Sequence, residues 1–233
     1  LDTERKITFS VPTGNFGDIY AGYVAKKMGL NINKLIVATN ENDILNRVIE
    51  TGEYKPSTAK SSITPSMDIQ VASNFERLLF DLLKGDDKKV STYMNKLTSD
   101  GNFKLNQEEL QSLKKNFIGR SINGKSTLQI INDVFKLNNY IIDPHTATGV
   151  APLLFGNVEE TEEIYTNSSD VVAIATADAY KFIETVEPEI KKVNTNSKVS
   201  IPQKLSEINN KKENFDIITN DISKIKNYIL DKI

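Results

Sequence analysis

Residues 11–18 read Val-Pro-Thr-Gly-Asn-Phe-Gly-Asp. An apolar, β-rich run precedes them (Ile7–Val11), and a run with helical spacing follows (Ile19–Gly29). Glycine permits close backbone approach and positive φ. A helix N-terminus offers unpaired N–H groups and about half a positive charge. Such a turn is suited to cradle a phosphate. It is not a Walker loop, because no Lys-Ser/Thr follows its second glycine, and it is not Gly-x-Gly-x-x-Gly. Taken alone, the turn has a plainer reading: a tight strand-to-helix connection with Asp18 near the cap.

Other residues could carry chemistry. His145 sits at a strand-to-helix turn in Asp-Pro-His-Thr-Ala-Thr-Gly-Val. It either lines a site or caps backbone groups. Asn74 and Arg77 are three apart and share a helix face. Arg77 suits a phosphate oxygen and equally a structural carboxylate. Ser61, Ser62 and Ser66 lie in a Ser/Thr/Pro-rich loop, where they either close over a substrate or are plain surface serines. Lys60 is in the same polar loop, with nothing to lower its pKa.

Bulk composition narrows the field. The 233 residues suit one large domain or two small ones. A net charge of −2 gives no electrostatic case for nucleic acid or an anionic membrane. No apolar run approaches the roughly 20 residues of a membrane span. Cysteine is absent, which excludes disulfides and thiolate metal sites and fits a reducing cytoplasm. A single histidine excludes a histidine-rich metal centre, so no metal is expected. The chain opens on polar residues without Met and runs straight into a core-like strand. This reads as a piece of a longer chain.

The elements that must position these residues follow an α/β pattern. Strands are expected at Ile7–Val11 and Lys34–Thr39, joined by a helix that stops at Gly29. This βαβ unit implies a parallel sheet. A second helix is expected to run to Thr51 and close at Gly52. After the loop at 53–68, a long helix runs to about Lys84, with Val71, Phe75, Leu78, Leu79 and Leu82 as its apolar stripe. Residues 86–139 read as helical, with capping-box spacing at Asn106/Glu109 and at Ser126/Gln129. A short strand at Tyr140–Ile142, a helix at about Pro144–Phe155, a strand at Val171–Ala175 and a helix at Asp178–Val186 complete the pattern. In the tail, Phe215, Ile218, Ile222, Ile225 and Ile229 keep the spacing of a docked amphipathic helix.

Four words occur in one order: VPTGNFGDIYAGYVAKKMGL, KLIVATNENDIL, TPSMDIQVASNFERLLFDLL and YIIDPHTATGV. From about Ile7 to Val186 they resemble the C-terminal half of the threonine synthases of the fungal and enterobacterial type. From about Lys191 onward no word matches. The resemblance implies the second half of the large domain of pyridoxal-phosphate fold type II, a partial parallel, Rossmann-like sheet flanked by helices. Residues 1–188 are then part of the cofactor domain, with 86–139 a helical insertion and 189–233 a helical tail. The implied reaction converts O-phosphohomoserine and water to threonine and phosphate.

The resemblance also assigns residues. Gly14, Asn15, Phe16, Gly17 and Asp18 surround the cofactor phosphate. The Thr176 hydroxyl faces the pyridine nitrogen. Asn74, Arg77 and His145, read from their own positions and not from the resemblance, are further candidates for the substrate. Where the family usually has Thr-Ala-His-Pro-Ala-Lys-Phe, this chain reads Thr-Ala-Asp-Ala-Tyr-Lys-Phe (Thr176–Phe182). Asp178 either alters the pocket or caps the helix it begins.

The family's imine lysine, in an aromatic-Lys-Asp stretch, has no counterpart here. It is expected upstream, in a missing N-terminal half, so the isolated chain should be inactive. Two alternatives stand beside this reading. One is a threonine-synthase-like phospholyase acting on a related phosphorylated amino acid. The other is a non-catalytic module that binds an anion or a partner.

Overall fold

A computed structural model describes residues 6–154, 169–209 and 211–233. Among the described residues, four strands make the main sheet: β1 (Lys6–Pro12), β2 (Ile32–Thr39), β5 (Phe117–Ser121) and β6 (Ser169–Ala173). Their order is β5-β2-β1-β6, and every pairing is parallel. The βαβ unit is present, with α1 (Gly17–Lys27) joining β1 to β2.

Both faces of the inner strands are largely buried, while the edge strand β6 is partly exposed. Leu35 and Val37 of β2 and Phe117 of β5 enter one core, while Ile36 and Ile118 enter another. This alternation is the period of two expected of a strand. It accounts for the continuous apolar run in β2, as in parallel sheets covered by helices on both sides. Further apolar positions lie on α2 (Ile44–Thr51), α3 (Phe75–Leu82), α4 (Asp87–Ser99) and α5 (Gln107–Asn116), which join the first core. A small antiparallel pair, β3 (Glu53–Tyr54) with β4 (Phe103–Lys104), ties this region together.

On the other side lie α6 (Gly124–Asn138), α7 (Pro144–Leu154) and α8 (Ile183–Val193), whose apolar residues form a separate cluster. Helix α7 packs directly on β1. A Cβ on Gly149 would stand 2.9 Å from Pro12 Cδ. Ser10 Oγ, buried in the sheet, donates to the Gly149 carbonyl at 2.5 Å. This close approach sets the start of α7 beside the carboxyl end of β1, where sites in parallel sheets form.

The structure corrects several expectations. Residues 86–139 are not purely helical, because β5 lies within them and is part of the main sheet. Tyr140–Ile142 form no strand; they are irregular chain between α6 and α7. Three apolar-leaning residues after a helix gave a weak signal, and the strand beside β2 is β5. Helix α3 starts only at Phe75, so Gln70 and Val71 lie outside it. The capping box at Asn106/Glu109 is formed. Helix α6, however, is capped one turn earlier than Ser126, by Asn123, whose side chain accepts from Ser126 N–H.

The chain divides into two compact units, Leu1–Val199 and Ser200–Ile233. The second contains α9 (Gln203–Asn209) and α10 (Ile222–Lys232). Asp221 caps α10, so Phe215 and Ile218 precede that helix. Among the described residues, no helix is long and apolar enough to cross a membrane.

Glu109 anchors the start of α5. It accepts hydrogen bonds from Tyr93 Oη (2.7 Å) and Asn106 N–H (2.9 Å) and pairs with Lys89. Burial opposes its charge, but the bonds from Lys89, Tyr93 and Asn106 outweigh burial and hold its carboxyl below the usual range. Its stabilising contribution is therefore full above the unfolded value of about 4.3 and disappears as pH falls through the lower folded value. Glu109→Gln is expected to remove about 1–3 kcal/mol and to flatten the acid limb of a thermal-melting profile against pH.

Candidate functional site

The connection after β1 is built by one unusual residue. Phe16 has φ 67°, the left-handed region, immediately before α1. For a residue with a Cβ this conformation costs about 1–2 kcal/mol. Its ring is 1% exposed and packs edge-on against Phe75 (5.4 Å) and tilted against Phe117 (5.6 Å). Burying such a ring stabilises by about 1.5–3 kcal/mol, enough to hold the turn. No side chain caps the start of α1 from this position. The first N–H groups of the helix thus remain available to an anion.

Neighbouring segments fix the rest of the turn. Thr13 N–H donates to the Ala38 carbonyl (2.8 Å) and Thr13 Oγ1 to the Val11 carbonyl (2.6 Å). A Cβ on Gly14 would lie 2.7 Å from the Ser66 carbonyl oxygen, so only glycine fits. Asn15 Oδ1 accepts from Ser73 N–H (3.2 Å) and Ser73 Oγ (3.3 Å). Its amide nitrogen is left as a donor. The Asn15 carbonyl accepts from Asn74 N–H (3.2 Å) and Asn74 Nδ2 (3.0 Å).

The loop bearing Ser66 is itself pinned. Asp68 accepts from Asn40 Nδ2 (2.7 Å), Asn42 Nδ2 (3.0 Å), Ser62 N–H (2.9 Å) and Ser62 Oγ (2.6 Å). Ser62 is thereby a structural group of a fixed wall. Ser66 and Met67 follow it onto the cavity.

A cavity of about 320 Å³ opens at this point. Gly14, Asn15, Phe16, Gly17, Asp18, His145 and Thr176 all line it, together with Pro12, Thr13, Ser66, Met67 and Ala177. Residues more than 150 positions apart in sequence therefore meet at one end of the sheet. Asn74 and Arg77 do not line it. Asn74 supports the turn from behind, and Arg77 is on an exposed face of α3. Asp178 caps the 3₁₀ turn Ala179–Phe182 by accepting from Tyr180 N–H (2.8 Å), which matches the capping alternative. Among the described residues no cluster of potential metal ligands is present.

One contributor is absent from the sequence reading. Asp143 is buried just before α7 and bonds both His145 and Thr146. The signal was available: an acidic residue followed by Pro at the first helical position marks a helix start. A decoy also becomes visible. Gly119–Ser126 spells Gly-x₄-Gly-Lys-Ser between a strand and a helix, the pattern of a phosphate loop. Here Gly119 is paired within β5, and Gly124 N–H donates to Glu41 Oε1 at 3.0 Å. Asn123 Oδ1 accepts from Ser126 N–H at 2.9 Å as well, so the N–H groups of that helix start are already occupied, unlike those of α1, and the segment is not an anion cradle.

Fold and cavity together define an α/β protein of parallel sheet with an anion-receptive helix start, faced by a threonine and a histidine. Comparison with known proteins narrows the class. Residues 146–229 match the family model described as threonine synthase, C-terminal. The threonine synthase of Pseudomonas aeruginosa is 36% identical over 225 residues, covering 97% of this chain and 46% of that protein. The structure of pyridoxal-phosphate-bound threonine synthase from Brucella melitensis superposes with a TM-score of 0.85 at 36% identity, covering 98% of this chain and 46% of that one. The yeast threonine synthase structure gives 0.84 at 34% identity, covering 100% and 48%. The chain spans about half the length of the relatives it matches. What it resembles is the C-terminal part of threonine synthase. That resemblance extends past Lys191, where the sequence words gave no match.

Gly14→Ala is expected to destabilise the fold by about 1–3 kcal/mol through overpacking against Ser66. It should also weaken inorganic phosphate binding roughly tenfold or more. Thermal melting and phosphorus NMR measure the two effects.

Proposed function

We propose that this chain is the C-terminal part of a pyridoxal-phosphate-dependent threonine synthase. In this reading the whole protein converts O-phospho-L-homoserine and water to L-threonine and phosphate. The observation that carries it is convergence. The cofactor residues implied by the family, Gly14 to Asp18 and Thr176, come from two distant segments and line one cavity.

The residues fit the cofactor's phosphate end. The start of α1 has no side-chain cap, and Gly14 leaves a space that a Cβ would fill. When bound, the cofactor supplies an electron sink for carbanion chemistry. This chain's part is binding and orientation. The N–H groups at the start of α1 hold the phosphate, and Asn15 Nδ2 adds a donor. Thr176, on the cavity wall, would offer a neutral hydroxyl to the pyridine nitrogen and would leave that nitrogen largely unprotonated. Asp18, in the first turn of α1, sits where the helix dipole favours a carboxylate. His145 stands on the wall beside Thr176 as the substrate-side candidate. Asn74 contributes by holding the Asn15 carbonyl, and Arg77 has no place in the cavity wall.

Among the described residues, no lysine lines the cavity. The proton-shuttling lysine and most of the substrate contacts are assigned to an upstream part of the protein.

Two experiments test the reading. The 233-residue chain should bind pyridoxal phosphate, with inorganic phosphate competing, by phosphorus NMR. Borohydride reduction and peptide mass spectrometry should give no dominant pyridoxyl-lysine; one dominant product would place the lysine in this chain. With the upstream part supplied, O-phosphohomoserine should yield threonine and phosphate in equal amounts. Phosphate without threonine would overturn the assigned reaction.

A further inference from the structure

The phosphate cradle does not account for the buried cluster at the start of α7. Asp143 is 1% exposed. Its Oδ1 accepts from His145 N–H (2.8 Å) and Thr146 N–H (3.3 Å) and lies 3.2 Å from His145 Nδ1. Its Oδ2 accepts from the Thr146 hydroxyl. Burial opposes the charge of Asp143, but the bonds from His145 and Thr146 outweigh it and hold the carboxyl below the usual range.

An ionised carboxylate can only accept. His145 Nδ1 must therefore carry its proton, and the Thr146 hydroxyl proton must point to Asp143. A lone pair of Thr146 Oγ1 is then free to accept, and Thr176 N–H donates to it at 3.3 Å. One charge thus sets the direction of the Thr146–Thr176 hydrogen bond between α7 and the segment after β6.

One atom is left over. His145 Nε2 is buried and has no hydrogen-bond partner among the described residues. The ring is 4% exposed, packs against Phe182 at 4.7 Å and forms part of the cavity wall. Buried polar atoms are nearly always paired, so an unpaired nitrogen in a side chain that forms part of the cavity wall points to a ligand.

We propose that Asp143 is the positioning residue of this cavity: it holds His145 in the Nδ1–H form and, through Thr146, holds the Thr176 backbone, so that His145 Nε2 serves as the acceptor for a hydrogen-bond donor of the bound ligand. The assignment of that ligand as pyridoxal phosphate with its substrate rests on the function proposed above. The two tasks of Asp143 do not.

The chain has a single histidine, so its ring nitrogens give one unambiguous pair of signals in ¹⁵N NMR. At pH 8 the ligand-free chain should show the Nδ1–H tautomer. The Nε2–H form, or an even mixture, would overturn the first task. Asp143→Ala, which removes the acceptor, should abolish the preference; if that variant does not fold, the unsubstituted chain still decides the point. For the second task, Thr146→Val should accelerate hydrogen exchange of the Thr176 amide roughly tenfold. Thr146→Ser should restore protection. Equal exchange in all three chains would overturn it.

Pyridoxal phosphate should then shift the Nε2 signal, and inorganic phosphate alone should not. Cofactor binding that leaves Nε2 unmoved would overturn the role of Nε2 alone. Failure of the cofactor to bind would overturn the proposed function and that role together, while the tautomer and exchange results would still decide what Asp143 does.

Discussion

Burial of the Phe16 ring is the constraint on which the site rests. The turn after β1 must reverse direction within a few residues and still present helix N–H groups to the cavity. A left-handed residue does this, and glycine would do it without strain. The chain uses phenylalanine and secures it by packing, wedging the ring between Phe75 of α3 and Phe117 of β5. The same contacts that close the first core therefore set the geometry of the cradle. Conformation and packing are one event here.

From that ring the remaining parts follow in order. Gly14 lets the Ser66 carbonyl lie against the turn, and Asp68 holds the Ser66 loop rigid through four neutral donors. Asn15 is clamped by Ser73 and Asn74. On the opposite side, Gly149 brings α7 down onto β1, which sets His145 and Thr146 at the level of the cavity. The small residues mark close approaches, and the polar ones fix orientation.

Much of this was legible in the sequence because it is local. The βαβ unit, Gly52 as a stop and the Asn106/Glu109 capping box depend on residues near one another. The Gly14–Asp18 turn was legible for the same reason, and the family words supplied Thr176. What was hidden is non-local. Strand β5 is short and sits among helices, and only its pairing with β2 makes it a strand. Asn74 and Arg77 looked equivalent by helical spacing, yet the helix begins between them and the backbone of Asn15 claims Asn74 alone. The Asp143 cap was readable from Asp-Pro, but the Thr146–Thr176 contact that it feeds is not local and was hidden.

The Phe16 ring is also one rung of a longer stack. Tyr93 packs on Phe103, Phe103 on Tyr54, Tyr54 on Phe75, and Phe75 on Phe16, which meets Phe117 and then Tyr23. The helical region around Tyr93 and Phe103, remote from the cavity in sequence, is thereby a mechanical brace for it. A smaller residue at any rung would let the whole column settle and tilt the cradle at its far end.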